Sequence, residues 1–397
     1  MQYFNELKLP LALEKAIQAM RFEKPTPIQA QAIPVAMKGC DLIGCAQTGT
    51  GKTVAFSVPL LTRLLNAPQK TALILVPTRE LAAQVAGVIS KLTAFSPQLR
   101  SVLLIGGVAM QPQTRNLLRK PQIVIATPGR LIDHLNQKNL SLAATDVLVL
   151  DEADRMLDMG FAPQLSQILR HLPNARQTLC FSATFSAEME KLAARFLKNP
   201  ERVTVGAVSQ PVQAIEQSIV QTTAAKKNDT LMDELNTRQG SVLVFARTQH
   251  RTDRVARYLE SYGHTVTRLH GGRSQGQRTT AVSGFRDGRF RIMVATDIAA
   301  RGIDISHIAH VINYDLPQVP EDYVHRIGRT GRAGAKGEAV SLITQEDQAQ
   351  WREIVRMLRK SDKHPTNDAE RGVRDLRDAH RPRPLQGTHK HQITARS

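Results

Sequence analysis

The chain has 397 residues, and 53 Lys and Arg against 35 Asp and Glu leave a formal net charge of +18. With 42% hydrophobic residues it can build two cores, which excludes wholesale disorder, and no apolar run is long enough to span a bilayer. So basic a chain points to a polyanionic partner, either nucleic acid or an anionic membrane surface.

Three cysteines, Cys40, Cys45 and Cys180, fit neither a disulfide framework nor a four-ligand zinc site, so a reducing cytoplasm is the expected location. The opening MQYFNELKLP lacks a basic stretch followed by an apolar run, and no secretory signal is expected there. Aromatic residues make up 4% of the chain, too few for a protein that grips bases mainly by stacking. A nucleic-acid partner would then be held by its backbone.

In chain order, the first chemical signal is DLIGCAQTGTGKT (41–53), a short apolar strand running into a glycine-rich turn and a helix start. Gly49 and Gly51 let the backbone curl so that several N–H groups point at one phosphate, and the following helix N-terminus adds its dipole. Lys52 would reach the outer phosphates, and the Thr53 hydroxyl would ligate Mg²⁺. The alternative is an ordinary glycine-rich turn.

Apolar β-branched runs then alternate with helical patterns, as in a parallel sheet covered on both faces. Strands are expected at 72–78, 101–107, 122–128, 146–152 and 177–184. The run VLVLDEAD (147–154) delivers acids at the strand's C-terminal end, where ligands gather in such sheets. Asp151 is placed to hold Mg²⁺, partly through water, and Glu152 to act as general base. Acids at a helix start can also simply favour the dipole.

A linker is expected at 207–215, leaving a first domain at 1–206. Strands at 241–248, 265–272, 291–297 and 309–315 mark a second domain at 216–360. Thr78, Thr127 and Asp151 of the first half recur as Thr248, Thr296 and Asp315 of the second at similar intervals, which suggests an internal duplication. The second half has no phosphate loop, but HRIGRTGR (325–332) places Arg329 and Arg332 three residues apart, on one face if helical. Two readings remain: a solvated basic helix, or arginine fingers reaching a γ-phosphate in the other domain. Residues 361–397 carry mixed charge and few large apolar side chains, and read as a disordered tail. That tail is either a weak auxiliary nucleic-acid contact or simply solvated.

Together these motifs resemble the DEAD-box family of ATP-dependent RNA helicases over about residues 4–345, with cues of its bacterial RhlE-like group in DEADRMLDMGF (151–161). The resemblance implies two tandem RecA-like α/β domains, each a parallel sheet flanked by helices. It implies that ATP is bound by Phe22 and Gln29 of FEKPTPIQ (22–29), by Ala46, Gln47, Thr48, Gly49, Thr50, Gly51, Lys52 and Thr53, and by Asp304 at the ribose. Arg21 stands where the family usually has glycine. Ser182, Thr184 and His325 would couple hydrolysis to strand separation. RNA contacts carry over to Pro77, Thr78, Arg79, Gly107, Thr127, Pro128, Gly129 and Arg130, and to Arg247, Thr248, Gln275, Arg278, Thr296 and Asp297.

The expected activity is RNA-stimulated ATP hydrolysis, with Asp151, Glu152, Lys52, Arg329 and Arg332 in the catalytic set. ATP and RNA would couple by closing the same two domains, giving local unwinding of short duplexes. A ribosomal precursor or an RNA-decay complex is the expected partner, and no membrane. A DNA translocase on the same fold and a non-hydrolysing RNA clamp are the competing functions.

Overall fold

The computed structural model describes residues 1–46, 49–183, 187–205, 215–300, 308–331 and 337–361. The expected linker lies outside these residues apart from Ile215, which is already the first residue of a strand. The expected tail likewise lies outside them apart from Ser361, the last residue of the helix Gln348–Ser361.

The apolar runs form two parallel sheets. The first contains β1 (Leu42–Cys45), β2 (Thr71–Leu75), β3 (Ser101–Leu104), β4 (Ile123–Ala126), β5 (Thr145–Leu150), β6 (Gln177–Ser182) and β7 (Glu201–Thr204), in the order β3-β4-β2-β5-β6-β1-β7. The second contains β8 (Ile215–Gln221), β9 (Val242–Phe245), β10 (Val266–Leu269), β11 (Ile292–Ala295), β12 (His310–Asn313) and β13 (Gly337–Ile343), in the order β10-β11-β9-β12-β13-β8.

Period-two alternation sends each strand's side chains into two cores. In β2, Ala72 and Ile74 pack with the helices Pro27–Met37, Lys52–Asn66 and Arg79–Leu92. Leu73 and Leu75 pack on the other face, with the helices Pro128–Asn136 and Ala162–Leu169. The second sheet is sandwiched in the same way. Burial on both faces is why the strands read as continuous apolar runs.

Apart from β7, which has no counterpart among the described residues, the sheets match strand by strand, which supports the duplication. Thr78 and Thr248 each cap the helix after β2 or β9, accepting from Leu81 N at 3.3 Å and Arg251 N at 3.2 Å. Val76 N donates to Ala126 O at 3.1 Å, and Ala246 N donates to Ala295 O at 3.0 Å. Asp151 N and Asp315 N donate to Leu75 O and Phe245 O at 3.0 and 3.1 Å. Thus β8 takes the place of β1, and β13 that of β6. The strands β7, β8 and β13 are absent from the sequence reading. β7 and β8 are edge strands whose side chains are largely exposed, and Gly337, Glu338 and Ser341 interrupt the apolar run of β13.

Candidate active site between the two sheets

The turn after β1 is shaped by glycine. Gly49 and Gly51 have φ of +86° and +91°, which side chains with a Cβ rarely adopt. A Cβ on Gly51 would also lie 2.3 Å from Gln29 Nε2, so the glycine lets the Gln29 amide press against the turn. Gln29 Nε2 donates to Gly51 O at 3.0 Å, and its Oε1 accepts from Thr26 N at 2.9 Å. The side chain expected to read adenine is therefore also a brace for the phosphate loop. Lys52, the first residue of its helix, is buried and donates from Nζ to Ala46 O at 2.9 Å. Gln47 and Thr48 lie outside the described residues.

The acids after β5 sit opposite this lysine. Asp151 is 2% exposed, and burial pushes its carboxyl up to about 7. Lys52 opposes that rise, while the charges of Glu152 and Asp154 add to it. Burial would raise Glu152 as well, but Arg155, Lys52 and Arg329 together hold its carboxyl below the usual range. Two adjacent carboxyls are therefore shifted in opposite directions from the ordinary carboxylate range. Glu152 has φ +51° and forms an ion pair with Arg155 Nη1, both side chains being 8% exposed. Asp154 Oδ2 accepts from Ala183 N at 3.0 Å, and Ala46 N donates to Ser182 O at 3.0 Å. The SAT turn is thus hydrogen-bonded to both phosphate-site segments. Thr184 lies outside the described residues.

The second sheet completes the site. Glu152, Asp154, Arg155, Asp158 and Ala183 line one cleft together with His325 and Arg329. The shared face of Arg329 and Arg332 was conditional on a helix, and Arg329 is not in one: the helix Pro320–Ile327 ends at Gly328. Arg329 instead lies in a turn, its N bonded to Arg326 O at 3.0 Å and its Nε to His325 O at 3.2 Å. Arg332 and Asp304 lie outside the described residues. Arg326 belongs to the second domain's own core: its guanidinium is 4.8 Å from the Phe245 ring centroid, grips both carboxylate oxygens of Asp297, and reaches Asn313 Oδ1 at 3.0 Å.

The expected RNA residues gather at strand ends and helix starts of both sheets. A Cβ on Gly107, whose φ is +74°, would sit 1.7 Å from Arg79 Nη1, so this glycine makes room for the guanidinium. Burial and the like charges of Arg278 and Arg130 hold the Arg79 guanidinium below its ordinary value, although Glu80 opposes the shift. Thr127 and Thr296 occupy equivalent places, their N–H groups bonded to Leu104 O and Leu269 O at 3.0 and 3.1 Å. Pro128 and Gly129 open the helix after Thr127, and Arg130 Nη1 donates to Val108 O at 3.0 Å. Pro77 and Thr78 are buried before the helix Arg79–Leu92, while Arg247 and Thr248 are exposed at the matching place in the second sheet.

Two expected RNA contacts turn out to be engaged by protein. Arg278 Nε donates to Glu80 Oε1 of the other domain at 2.7 Å, and both side chains are nearly buried. Asp297 is taken up by Arg326. Gln275 opens its helix with Oε1 buried and unbonded. The sequence shows neither the pairing of Glu80 with Arg278 nor a role for Arg155. Arg155 carried one available signal, its three-residue spacing from Glu152 beside a helix start.

A phosphate loop on one sheet, acids beside it and an arginine delivered by a second sheet define a two-domain nucleotide-hydrolysing α/β protein. The DEAD/DEAH box helicase family matches residues 26–192, and the helicase conserved C-terminal domain matches residues 226–334. The ATP-dependent rRNA helicase RRP3 of Debaryomyces hansenii is 46% identical over 360 residues, 90% of this chain and 75% of that protein. The DEAD-box ATP-dependent RNA helicase CshA of Bacillus licheniformis is 43% identical over 370 residues, 92% and 76% respectively. Among solved structures, S. cerevisiae Dbp5 bound to RNA and ADP BeF3 has a TM-score of 0.81 at 33% identity, covering 91% of this chain and 93% of that one. The chain belongs to the DEAD-box family and is an ATP-dependent RNA helicase with two tandem RecA-like domains. Among the described residues no helix is long and apolar enough to cross a membrane.

Proposed function

We propose that ATP binds between the sheets and that hydrolysis is completed only when the domains close on RNA. The observation that carries this reading is the cleft in which Glu152 of the first domain and Arg329 of the second line one space. Phe22 would cover the adenine and Gln29 read its edge. The loop from Ala46 to Thr53 would hold the phosphates, with Lys52 on the outer ones, and Asp304 would bind the ribose. Water would attack the γ-phosphorus while Glu152 accepts its proton, and the bond to the bridging oxygen would break to release ADP. Arg329 and Arg332 would meet the charge that develops on the transferred group.

The residues present suit Mg²⁺. Asp151 is a buried carboxylate without an ion pair among the described residues, and Thr53 adds a hydroxyl, so the donors are hard oxygens. Among the described residues no group of three or more His, Cys, Asp or Glu could hold a metal alone, as suits an ion shared with substrate phosphates and water. Bound there, Mg²⁺ would neutralise phosphate charge.

RNA would lie across both sheets, held by Arg79, Arg130 and Arg247 and by backbone N–H and hydroxyl groups at Thr78, Gly107, Thr127, Gly129, Thr248 and Thr296. Arg278 then serves to join the domains, and Asp297 to hold Arg326. Ser182, Thr184 and His325 would relay the state of the γ-phosphate to that groove. We divide the chain into domains at 1–206 and 216–360, and infer a cytoplasmic enzyme. Because the yeast relative is an rRNA helicase, structured ribosomal RNA is the first substrate to try.

The test is steady-state ATP hydrolysis without nucleic acid, with single-stranded RNA, and with DNA of the same sequence. RNA alone should stimulate, and Glu152→Gln should lower the stimulated rate by about 100-fold or more. Equal stimulation by DNA would break the RNA assignment, and a full rate in Glu152→Gln would remove the general base.

A further inference from the structure

Arg155 has no role in the reading above, yet it is among the most constrained side chains of the site. It is 7% exposed and lines the interdomain cleft with Glu152, His325 and Arg329. Its Nη1 is bonded to Glu152 Oε2, while its Nε and Nη2 are buried without a hydrogen-bond partner among the described residues. A buried guanidinium left with spare donors calls for an explanation.

Glu152 supplies one. It precedes the short helix Ala153–Asp158 in a left-handed conformation, φ +51° and ψ 52°, unusual for a residue other than glycine, and lies outside the regular helix. Its backbone therefore does little to fix its carboxylate, and the ion pair with Arg155 is its side-chain hydrogen bond. The spacing of three residues puts the two side chains within reach of each other on one side of the turn.

We propose that Arg155 is a positioning residue for hydrolysis, which holds the Glu152 carboxylate at the cleft wall through its Nη1. This rests on Glu152 being the general base. The guanidinium fixes one carboxylate oxygen and leaves the other to take the proton. A base set this way is oriented before the water arrives, and its reach to the γ-phosphate does not depend on a free rotamer search. Arg155 does not itself exchange a proton.

The experiment uses the full chain with saturating RNA and Mg-ATP. Arg155→Gln and Arg155→Lys are each compared with wild type for kcat, for KM of ATP and for RNA affinity with a non-hydrolysable ATP analogue. Arg155→Gln should lower kcat about 10- to 100-fold. Both binding constants should stay within about twofold of wild type. Arg155→Lys, which keeps a charge and a donor but lacks the fork, should recover part of kcat. In a Glu152→Gln background Arg155→Gln should lower the residual rate no further, since both changes would remove one unit. An unchanged kcat, a parallel rise in KM, or a further fall in the Glu152→Gln background would overturn the assignment. Thermal melts check that each variant folds, and Arg155→Lys carries the test if Arg155→Gln does not. A wild-type enzyme without RNA-stimulated hydrolysis would instead overturn the reading of the whole site.

Discussion

Lys52 and Lys227 each open the helix that follows the equivalent strand of their sheet, β1 or β8. Asp151 and Asp315 each follow the equivalent central strand, bonded through N–H to Leu75 O and Phe245 O. From the same two positions the two halves have made opposite things. In the second half Lys227 Nζ lies 3.4 Å from Asp315 Oδ1 and 3.3 Å from Asp347 Oδ2. Arg251 reaches Asp315 Oδ1 at 3.4 Å, and Arg247 N donates to its Oδ2 at 3.0 Å. The aspartate is saturated by protein. In the first half Lys52 turns to Ala46 O, and among the described residues Asp151 receives only the N–H of Glu152. One site is closed by its own cations, and the other leaves its acid unmatched, to be ionised when a ligand's cation arrives. A nucleotide site thus need not differ from a structural one in fold, only in how much of its charge the protein has already matched.

The closed half should be the more sensitive to loss of its acid. Asp315→Asn leaves a buried lysine sharing Asp347 alone and strips Arg251 of its partner. Breaking a buried pair in this way should cost about 3 kcal/mol, read as a lower denaturant midpoint at unchanged slope. An unchanged midpoint would mean that the match at Asp315 contributes nothing, and the comparison would fail.

The open half should respond with the opposite sign. Asp151 keeps its proton up to about pH 7 when folded, whereas an unfolded aspartate releases it near pH 3.9. Between those values the folded state binds more protons, so this group's contribution to stability falls as pH rises. Above pH 7 a charge sits buried without an ion-pair partner among the described residues. Asp151→Asn removes it, and should stabilise the nucleotide-free protein by on the order of 2 kcal/mol at pH 8. The gain should shrink as pH is lowered and vanish near pH 4. Melting curves across that range check it, and a variant less stable than wild type at pH 8 would show that Asp151 is already matched. Hydrolysis should be lost in the same variant, so stability and activity part company at one residue.

What could be read along the chain was whatever is local. The phosphate loop, the DEAD segment and the strand ends are contiguous, and each residue type there has one strong physical reason to be where it is. The network of Lys227, Asp315 and Asp347 is assembled from three distant segments, and nothing near Lys227 marks it as buried. Glu80 and Arg278 meet only across the domain gap, so an arginine in a backbone-binding pattern reads as a phosphate contact until its partner is seen. The spacing in HRIGRTGR puts Arg329 and Arg332 on one face only of a helix, and the spacing alone does not show that the helix stops at Gly328 and the chain turns there.

The smallest expected effect concerns a residue on which sequence and geometry disagree. The helix Leu11–Ala19 ends at Met20, and Arg21 follows with φ +56°. Arg21 N donates to Gln18 O at 2.9 Å and Phe22 N to Ile17 O at 3.2 Å, the paired bonds of a Schellman turn. That turn asks for glycine at Arg21's place. It also sets Phe22, which packs against the core containing Ile17 and stacks on Phe4 with centroids 6.3 Å apart. Arg21 therefore adopts the glycine conformation with a Cβ in place, at a cost of about 1–2 kcal/mol. Arg21→Gly relieves that strain but gives the unfolded chain more freedom, which returns about 0.4–1 kcal/mol of the gain. The net should be a stabilisation of about 0.5–1 kcal/mol, seen as a slightly higher Tm, with ATP affinity unchanged because the turn holding Phe22 is already formed. A lower Tm, or a change in ATP affinity alone, would mean that the guanidinium of Arg21 contributes something that the turn's backbone geometry does not reveal.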